Sequence, residues 1–370
     1  MAFLVYHIIR VQTSWPDSLH QGSTSQEPKG PGGASTGGTP NPIAAYHTRT
    51  LVVAATKDED VSWIAQSFEK SQDIRTAVYI ADDPSAPLHP PKNKGHEVMI
   101  YLSYIIDHYE NLSDVNIFMH SHRYAWHNNE LLDNDAVKVV TSLSAEYVQR
   151  QGYMNTRCHW DPGCPEWLHP GSEEANVNKQ EQEVFAEAWS ELFPTDSLPT
   201  VLAQPCCAQF AVSKDRIHAL PKIRYEFFRN WLLDTTLSDY LSGRVWEYLW
   251  HYLFTGQNTY CPAEHVCYCD GFGICFGGAE QYAAWWDRMW KKRIWEDQLK
   301  DWHFKQNARV TAEEEGRLDD LKRLEIPEVG KDEELEKKID ELDTWLKLEK
   351  WKAMIQGDVE RDRRRVSRGP

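Results

Sequence analysis

The chain has 370 residues, 41% of them hydrophobic, which suffices for one large α/β core or for a core with a small satellite. A formal net charge of −16 excludes generic binding along a phosphate backbone, because such binding rests on summed Lys and Arg. The same field favours a cationic small-molecule substrate and leaves only a local basic patch for any nucleic-acid contact.

The opening MAFLVYHIIR has an apolar run too short to span a bilayer and lacks a basic leader and a small-residue cleavage site, so the chain is expected to be soluble, cytoplasmic and free of membrane contact. Residues 13–45, with SLHQGSTSQEPKGPGGASTGGTPNP, carry almost no large apolar side chains, and the whole of 1–45 is expected to be a disordered leader. Eight cysteines fall below the density of a disulfide scaffold, so most are expected to be reduced thiols.

From residue 46 the pattern becomes regular. TRTLVVAATKDEDVSWIAQSF reads strand, polar loop, helix, with Asp60 as the expected N-cap ahead of Trp63, Ile64 and Phe68. TAVYIADDP is a second buried strand ending at Asp82 and Asp83. GHEVMIYLSYIIDHY puts Met99, Leu102, Ile105, Ile106 and Tyr109 on one helical face, and DVNIFMHSH is a third strand. Strands alternating with helices predict a parallel sheet with crossover helices, and such sheets bind ligands at the carboxyl ends of their strands. Lys57 to Asp60, Asp82 with Asp83, and His120 to His127 all follow strand ends, so one rim is expected to gather them.

Further on, a helix is expected from Ala136 to Tyr153, then an irregular stretch, then PCCAQFAVSKDRI as a strand running into a turn. RNWLLDTTLSDYLSGRVWEYLWHYLF reads as two amphipathic helices split by Ser242 and Gly243. Residues 281–370 predict a helical extension: a long aromatic helix, then Leu335, Ile339, Leu342 and Leu346 at coiled-coil spacing. That arm suits a helical partner or self-association, and the terminal RDRRRVSR is the most basic local patch. The domains so read are 1–45 leader, 46–280 α/β catalytic domain and 281–370 extension.

Several residues carry candidate chemistry. His120, His122 and His127 offer imidazoles for proton transfer, metal ligation or plain hydrogen bonding, and no zinc signature accompanies them. Trp126 presents a face for a guanidinium or ring. In NKGHE, Asn93 and Glu97 stand at the start of a helix, where first-turn amides favour an anion; Glu97 is either a general base or amine anchor, or an ordinary capping residue. Asp82 and Asp83 are either a cation clamp or a polar turn. Cys261, Cys267, Cys269 and Cys275 can cross-link locally, hold a structural zinc or stay free; Cys206 and Cys207 read as small buried residues. Ser121 is a weaker candidate nucleophile.

The segments VVAATKDEDVSWI, NKGHEVMIYLSYIIDHYENLSDVNIFMHSHRYAWHN, RCHWDPGCP, PCCAQFAVSKDRI and SGRVWEYLWHYLF with the CYCDGFGIC that follows resemble a fungal family long filed as a domain of unknown function, over roughly residues 48–280. Through that family the chain resembles the fungal arginine-containing cyclodipeptide synthases. The resemblance implies an aminoacyltransferase that condenses arginine with a second amino acid, both delivered on aminoacyl-tRNA, into a diketopiperazine of secondary metabolism, with no cofactor. Read from the residues themselves, Glu97, His120, His122 and His127 are the candidates for the catalytic work of such a reaction, and Asp60, Asp82, Asp83, Asn93, Trp126 and Arg123 for its substrate contacts. Arg123, Arg157, Lys214 and Arg216 are then the expected tRNA strip. The expected fold is α/β, a Rossmann-like or glycosyltransferase-A-like parallel or mixed sheet with flanking helices and a C-terminal helical arm. Two alternatives stay open: a nucleotide-sugar transferase, although the position after the third strand reads HSH where that class carries two aspartates, and a non-catalytic binding protein that uses the arm.

Overall fold

The computed structural model describes residues 47–172 and 179–367, so the expected leader lies outside the described residues. Its elements run in the order β1 (Arg49–Ala55), α1 (Ser62–Phe68), β2 (Ile74–Ile80), α2 (Glu97–His108), β3 (Val115–His120), α3 (Ala136–Ser142), α4 (Ala145–Gln151), β4 (Tyr153–Asn155), α5 (Glu181–Leu192), β5 (Phe210–Ser213), α6 (Lys214–His218), α7 (Lys222–Asp234), α8 (Asp239–Glu247), α9 (Trp250–Thr255), α10 (Glu264–Val266), α11 (Ala279–Glu314), α12 (Leu318–Leu321) and α13 (Lys331–Ser367).

Five strands form one mixed sheet in the order β2-β1-β3-β5-β4. β1 pairs in parallel with β2 and with β3, whereas β5 is antiparallel to β3 and β4 is antiparallel to β5. The strands are apolar on both faces because both are covered. Val52, Phe118, Phe210 and Val212 enter one core with α2, α5, α7, α8 and α9. Leu51, Val53, Ile117, Met119 and Ala211 enter the other with α1, α3, α4, α11 and α13. This is the period of two of a strand buried between two helical layers.

β1 connects to β2 on one side and has β3 on the other, so the chain reverses its strand order at the carboxyl ends of β1 and β3. A crevice at such a switch point is the usual ligand site of an open α/β sheet. The register sets Ala54 of β1 beside His120, the last residue of β3.

Three local expectations are corrected. The helix expected from Ala136 to Tyr153 breaks at Leu143, because the Ser144 hydroxyl accepts from the Tyr147 N–H and starts α4 afresh, and Tyr153 begins β4. Ser242 and Gly243 do not split the helices: they lie inside α8, and the breaks fall on either side of it. Val61 rather than Asp60 caps α1, although Asp60 Oδ1 accepts from the Ser62 N–H at 2.9 Å.

The cysteine expectation is overturned more broadly: all eight are paired. Cys158 joins Cys267, Cys164 joins Cys261, Cys206 joins its neighbour Cys207, and Cys269 joins Cys275. Only the last pair is local to the Cys-rich segment. Two others span separations of 109 and 97, which spacing within one segment cannot reveal. Zinc ligation by Cys261, Cys267, Cys269 and Cys275 is replaced by these bonds, since a disulfide sulfur is no thiolate ligand.

α11 and α13 form an antiparallel hairpin: Trp285, Lys292 and Trp302 of α11 meet Leu346, Asp343 and Glu328 in turn. It is docked on the body, where Trp285, Trp286, Leu346 and Ala353 are buried in the second core and Lys350 pairs with Asp133 at 2.6 Å. Among the described residues no helix is long and apolar enough to cross a membrane.

Candidate active site

At the switch point lies a cavity of about 370 Å³, lined by the end of β1 (Ala54 to Thr56), Glu59, Asn93, His96 and Glu97 before and in α2, His120 to His122 after β3, His127, and Asp239 of α8. A second lobe of about 250 Å³ shares the lining residues His96, Glu97, His120 and His127 with it and continues along Trp126, Trp167, Cys206, Cys207, Arg244, Glu247 and Tyr248. A larger groove of about 590 Å³ between α5 and α7 gathers Glu187, Glu191 and Asp234 but no imidazole, so the histidine cluster at the sheet edge is the stronger candidate site.

The turn before α2 aims Glu97 at this cavity. Gly95 and His96 both adopt positive φ, 69° and 52°, and the Gly95 N–H donates to the Asp239 carboxylate. Gly243 of α8 permits the approach: a Cβ there would stand 2.6 Å from His96 Cδ2. Glycine inside this helix is therefore a requirement of close packing.

Glu97 lies mostly enclosed, its side chain 16% exposed and open only toward the cavity. Burial first, then the neighbouring carboxylates of Glu247 and Asp239, push it up to about 8, against an opposing backbone hydrogen bond. His120 Nε2 stands 3.9 Å from Glu97 Oε2 and makes no hydrogen bond. His120 Nδ1 meets His127 Nε2 at 3.3 Å. Burial, followed by the surrounding imidazoles, drives His120 down to about 3; burial and Arg157 bring His127 to about 4. Both rings are neutral at pH 7, so one of them donates in their shared hydrogen bond and the other accepts.

On the other wall, Glu59 is held as an anion. Burial raises its pKa, but hydrogen bonds from Ser121 and Thr56 and the charge of His122 outweigh it, and the net shift is downward. The Ser121 hydroxyl donates to Oε1 at 2.7 Å and the Thr56 N–H to Oε2 at 2.7 Å, while His122 Nε2 is 3.6 Å away on a largely exposed ring. Ser121 is thus a positioning donor for Glu59. The loop carrying these histidines is pinned by Gln209, whose Oε1 accepts from the His120 N–H and whose Nε2 donates to Asn128 Oδ1.

The rim gathers fewer residues than expected. Asp82 accepts from the Lys57 N–H at 2.9 Å and ties two loops together, but does not line the cavity. Asp83 accepts from the Ser85 N–H and hydroxyl, which hold it below the ordinary carboxylate range on an exposed turn. Asp60 is likewise an exposed local cap. Arg123 is bound to Asp135 at 3.2 Å and lies over Tyr124, away from both lobes. Hydrogen bonds within two residues engage Asp60 and Asp83, and a bond between loops engages Asp82. Trp126 does reach the second lobe, with the Arg157 guanidinium 5.1 Å from its ring centroid.

The expected tRNA strip is not assembled either. Arg157 is buried and donates to the carbonyls of Trp126 and Asp161. Lys214 and Arg216 follow Ser213, which pairs with Val115 at the opposite end of β3 from His120, roughly 16 Å away at strand rise.

His96, Asp239, Arg244 and Glu247 are candidate-site residues that sequence reasoning passed over. Of the expected Lys57 to Asp60 stretch, only Glu59 lines the cavity. Arg244 and Glu247, at helical i,i+3 spacing in SGRVWE, gave no signal that their helix returns to a strand edge more than a hundred residues earlier.

Fold and site together describe an α/β protein with a strand-end crevice lined by carboxylates and imidazoles. A family model described as "Protein of unknown function (DUF3431)" matches residues 51–270, and the chain belongs to that family. No curated protein and no solved structure matches it.

Proposed function

We propose that the strand-end cavity is the active site of an aminoacyltransferase, a tRNA-dependent cyclodipeptide synthase joining arginine to a second amino acid. The observation that carries it is the floor of the cavity: Glu97, pushed up to about 8, beside the unpartnered His120 Nε2, within a lobe that holds Glu59 and Asp239 but neither lysine nor arginine. Such a lobe draws an ammonium or guanidinium group and repels a diphosphate that no divalent cation bridges.

Magnitudes assign the roles. General-base efficiency peaks when the base's pKa lies near the working pH. Glu97 at about 8 meets that condition and His120 at about 3 does not. The amine of one aminoacyl group attacks the ester carbon of the other, and its proton passes to Glu97 as the C–N bond forms. The bond from carbon to the ribose oxygen breaks, and that oxygen takes up a proton relayed through His120. A second attack of the same kind closes the ring. An ammonium bound beside Glu97 favours its ionised form and prepares the base. Glu59 and Asp239 replace Asp82 and Asp83 as the anchors for the arginine side chain.

One observation favours the second reading, a nucleotide-sugar transferase: eight paired cysteines suit an oxidising compartment, whereas charged tRNA belongs to the cytosol. The decisive experiment incubates the purified, oxidised protein with arginyl-tRNA and a set of other aminoacyl-tRNAs and searches for cyclic dipeptides by mass spectrometry. A cyclo-Arg-Xaa product is expected. Its absence, together with turnover of a nucleotide-sugar in Mn²⁺, overturns aminoacyl transfer in favour of glycosyl transfer.

A further inference from the structure

The geometry points to the second lobe as a separate subsite for one planar, uncharged ring, an indole or phenol side chain of the second aminoacyl group. For its biological setting the assignment rests on the aminoacyl-transfer reading; its binding chemistry rests on the lobe alone.

The two lobes differ in what they leave unmet. In the first, Glu59 and Asp239 face the cavity with no lysine or arginine among the lining residues. In the second, Glu247, the carboxylate that the first lobe does not share, is already answered. Arg244 donates to Glu247 at 3.1 Å and to the fully buried Glu181 at 2.8 Å, and the Cys207 N–H donates to Glu247 Oε1 at 3.0 Å. A second cation entering this lobe would meet Arg244, and an anion would meet Glu247, so a neutral group fits best. Glu247 retains unused lone pairs for an indole N–H or a phenol O–H.

Beside these charged groups its walls carry flat aromatic faces. Trp167 and Tyr248 stack with centroids 6.4 Å apart and an interplanar angle of 24°, and Trp126 stands at the mouth, 63% exposed. The linked Cys206 and Cys207 add a soft, polarisable surface, of the kind that packs well on aromatic rings. Cys207 and Ala208 have φ of 95° and 49°, left-handed values for non-glycine residues. Departures of that sort cluster where a backbone is shaped around a ligand. At about 250 Å³ the lobe falls below the usual range for a whole drug-sized molecule but accommodates a single large side chain. Because both lobes share Glu97 and His120, a ring seated here and a cation seated in the first lobe would bring two aminoacyl groups to the same base.

The test is calorimetric titration of the intact oxidised protein with tryptophanamide, leucinamide and argininamide, repeated on Trp126→Ala and Glu59→Gln. Trp126 is exposed, and melting temperatures confirm that its variant folds. Tryptophanamide is expected to bind the wild type more tightly than leucinamide and to lose about 2–10-fold in affinity in Trp126→Ala, the range of one aromatic contact. Argininamide is expected to show the reverse pattern, weakened by Glu59→Gln and unmoved by Trp126→Ala. Equal affinities for tryptophanamide and leucinamide, or full tryptophanamide binding in a folded Trp126→Ala protein, overturn the subsite. If tryptophanamide binds as expected but charged tRNAs give no cyclic dipeptide, the subsite stands and aminoacyl transfer fails. If cyclic dipeptides form only with aliphatic partners, transfer stands and the ring subsite fails.

Discussion

Asp83 and Glu97 stand at the two ends of one connection, between β2 and α2, and their carboxyl groups behave oppositely. Asp83 is at the surface, where two hydrogen bonds from Ser85 hold it below the usual range. Glu97 is roofed by α8 and by other acids and rises to about 8. Fourteen positions of chain separate them, yet what decides their chemistry is whether water reaches the charge. A strand-end acid is a catalytic candidate only when the fold above it removes water without supplying a cation.

The sharpest way to break this contrast is to neutralise each acid. Glu97→Gln is expected to lower product formation by about 10²–10⁴-fold, the usual worth of a general base, whereas Asp83→Asn leaves it unchanged; equal losses in steady-state assays would erase the distinction. The pH profile sharpens it further. As a base in the free enzyme, Glu97 should give a rate that climbs with pH through about 8, a limb that disappears in Glu97→Gln.

Stability should carry the same signature. The folded pKa of Glu97 is raised, so the folded state binds the extra proton between 4.5 and about 8, and stability falls as pH climbs through that window. Glu97→Gln should therefore stabilise the protein by about 1–3 kcal/mol at pH 9 and by nothing at pH 4, as read by denaturant titration. Asp83 has the opposite sign, since its folded pKa is lowered: its small contribution is present above the unfolded value and disappears as acid protonates it. Gly243→Ala attacks the roof itself. Its new Cβ, 2.6 Å from His96 Cδ2, should cost about 1–3 kcal/mol and loosen the Gly95–Asp239 contact. Unchanged melting would show that α8 does not set the position of Glu97. The smallest effect belongs to Ser121→Ala, about 1 kcal/mol from the lost hydrogen bond to Glu59.

Much of this arrangement was legible in the sequence. The β-branched runs of β1, β2 and β3, the face of α2 carrying Met99 and Leu102, and the histidines just beyond a strand end predicted the parallel half of the sheet and the edge that carries the candidate site. The coiled-coil spacing from Leu335 to Leu346 marked a helix that packs on another helix, and α11 of the same chain occupies that place. What escaped were partners remote in sequence: Asp239 and Glu247 against Glu97, Cys158 against Cys267, Cys164 against Cys261. A repeat of two or 3.6 residues reports on a segment's own faces and carries no information about which distant segment will cover them.

By itself, then, the sequence determined which stretches form strands and helices and which residue types end at the sheet's edge, because local hydrophobic periodicity and turn chemistry act over a few residues. Only the tertiary structure decided which acids lose their water, which arginines are consumed by internal carboxylates and which thiols meet. Desolvation and disulfide pairing both depend on surfaces brought together from opposite ends of the chain.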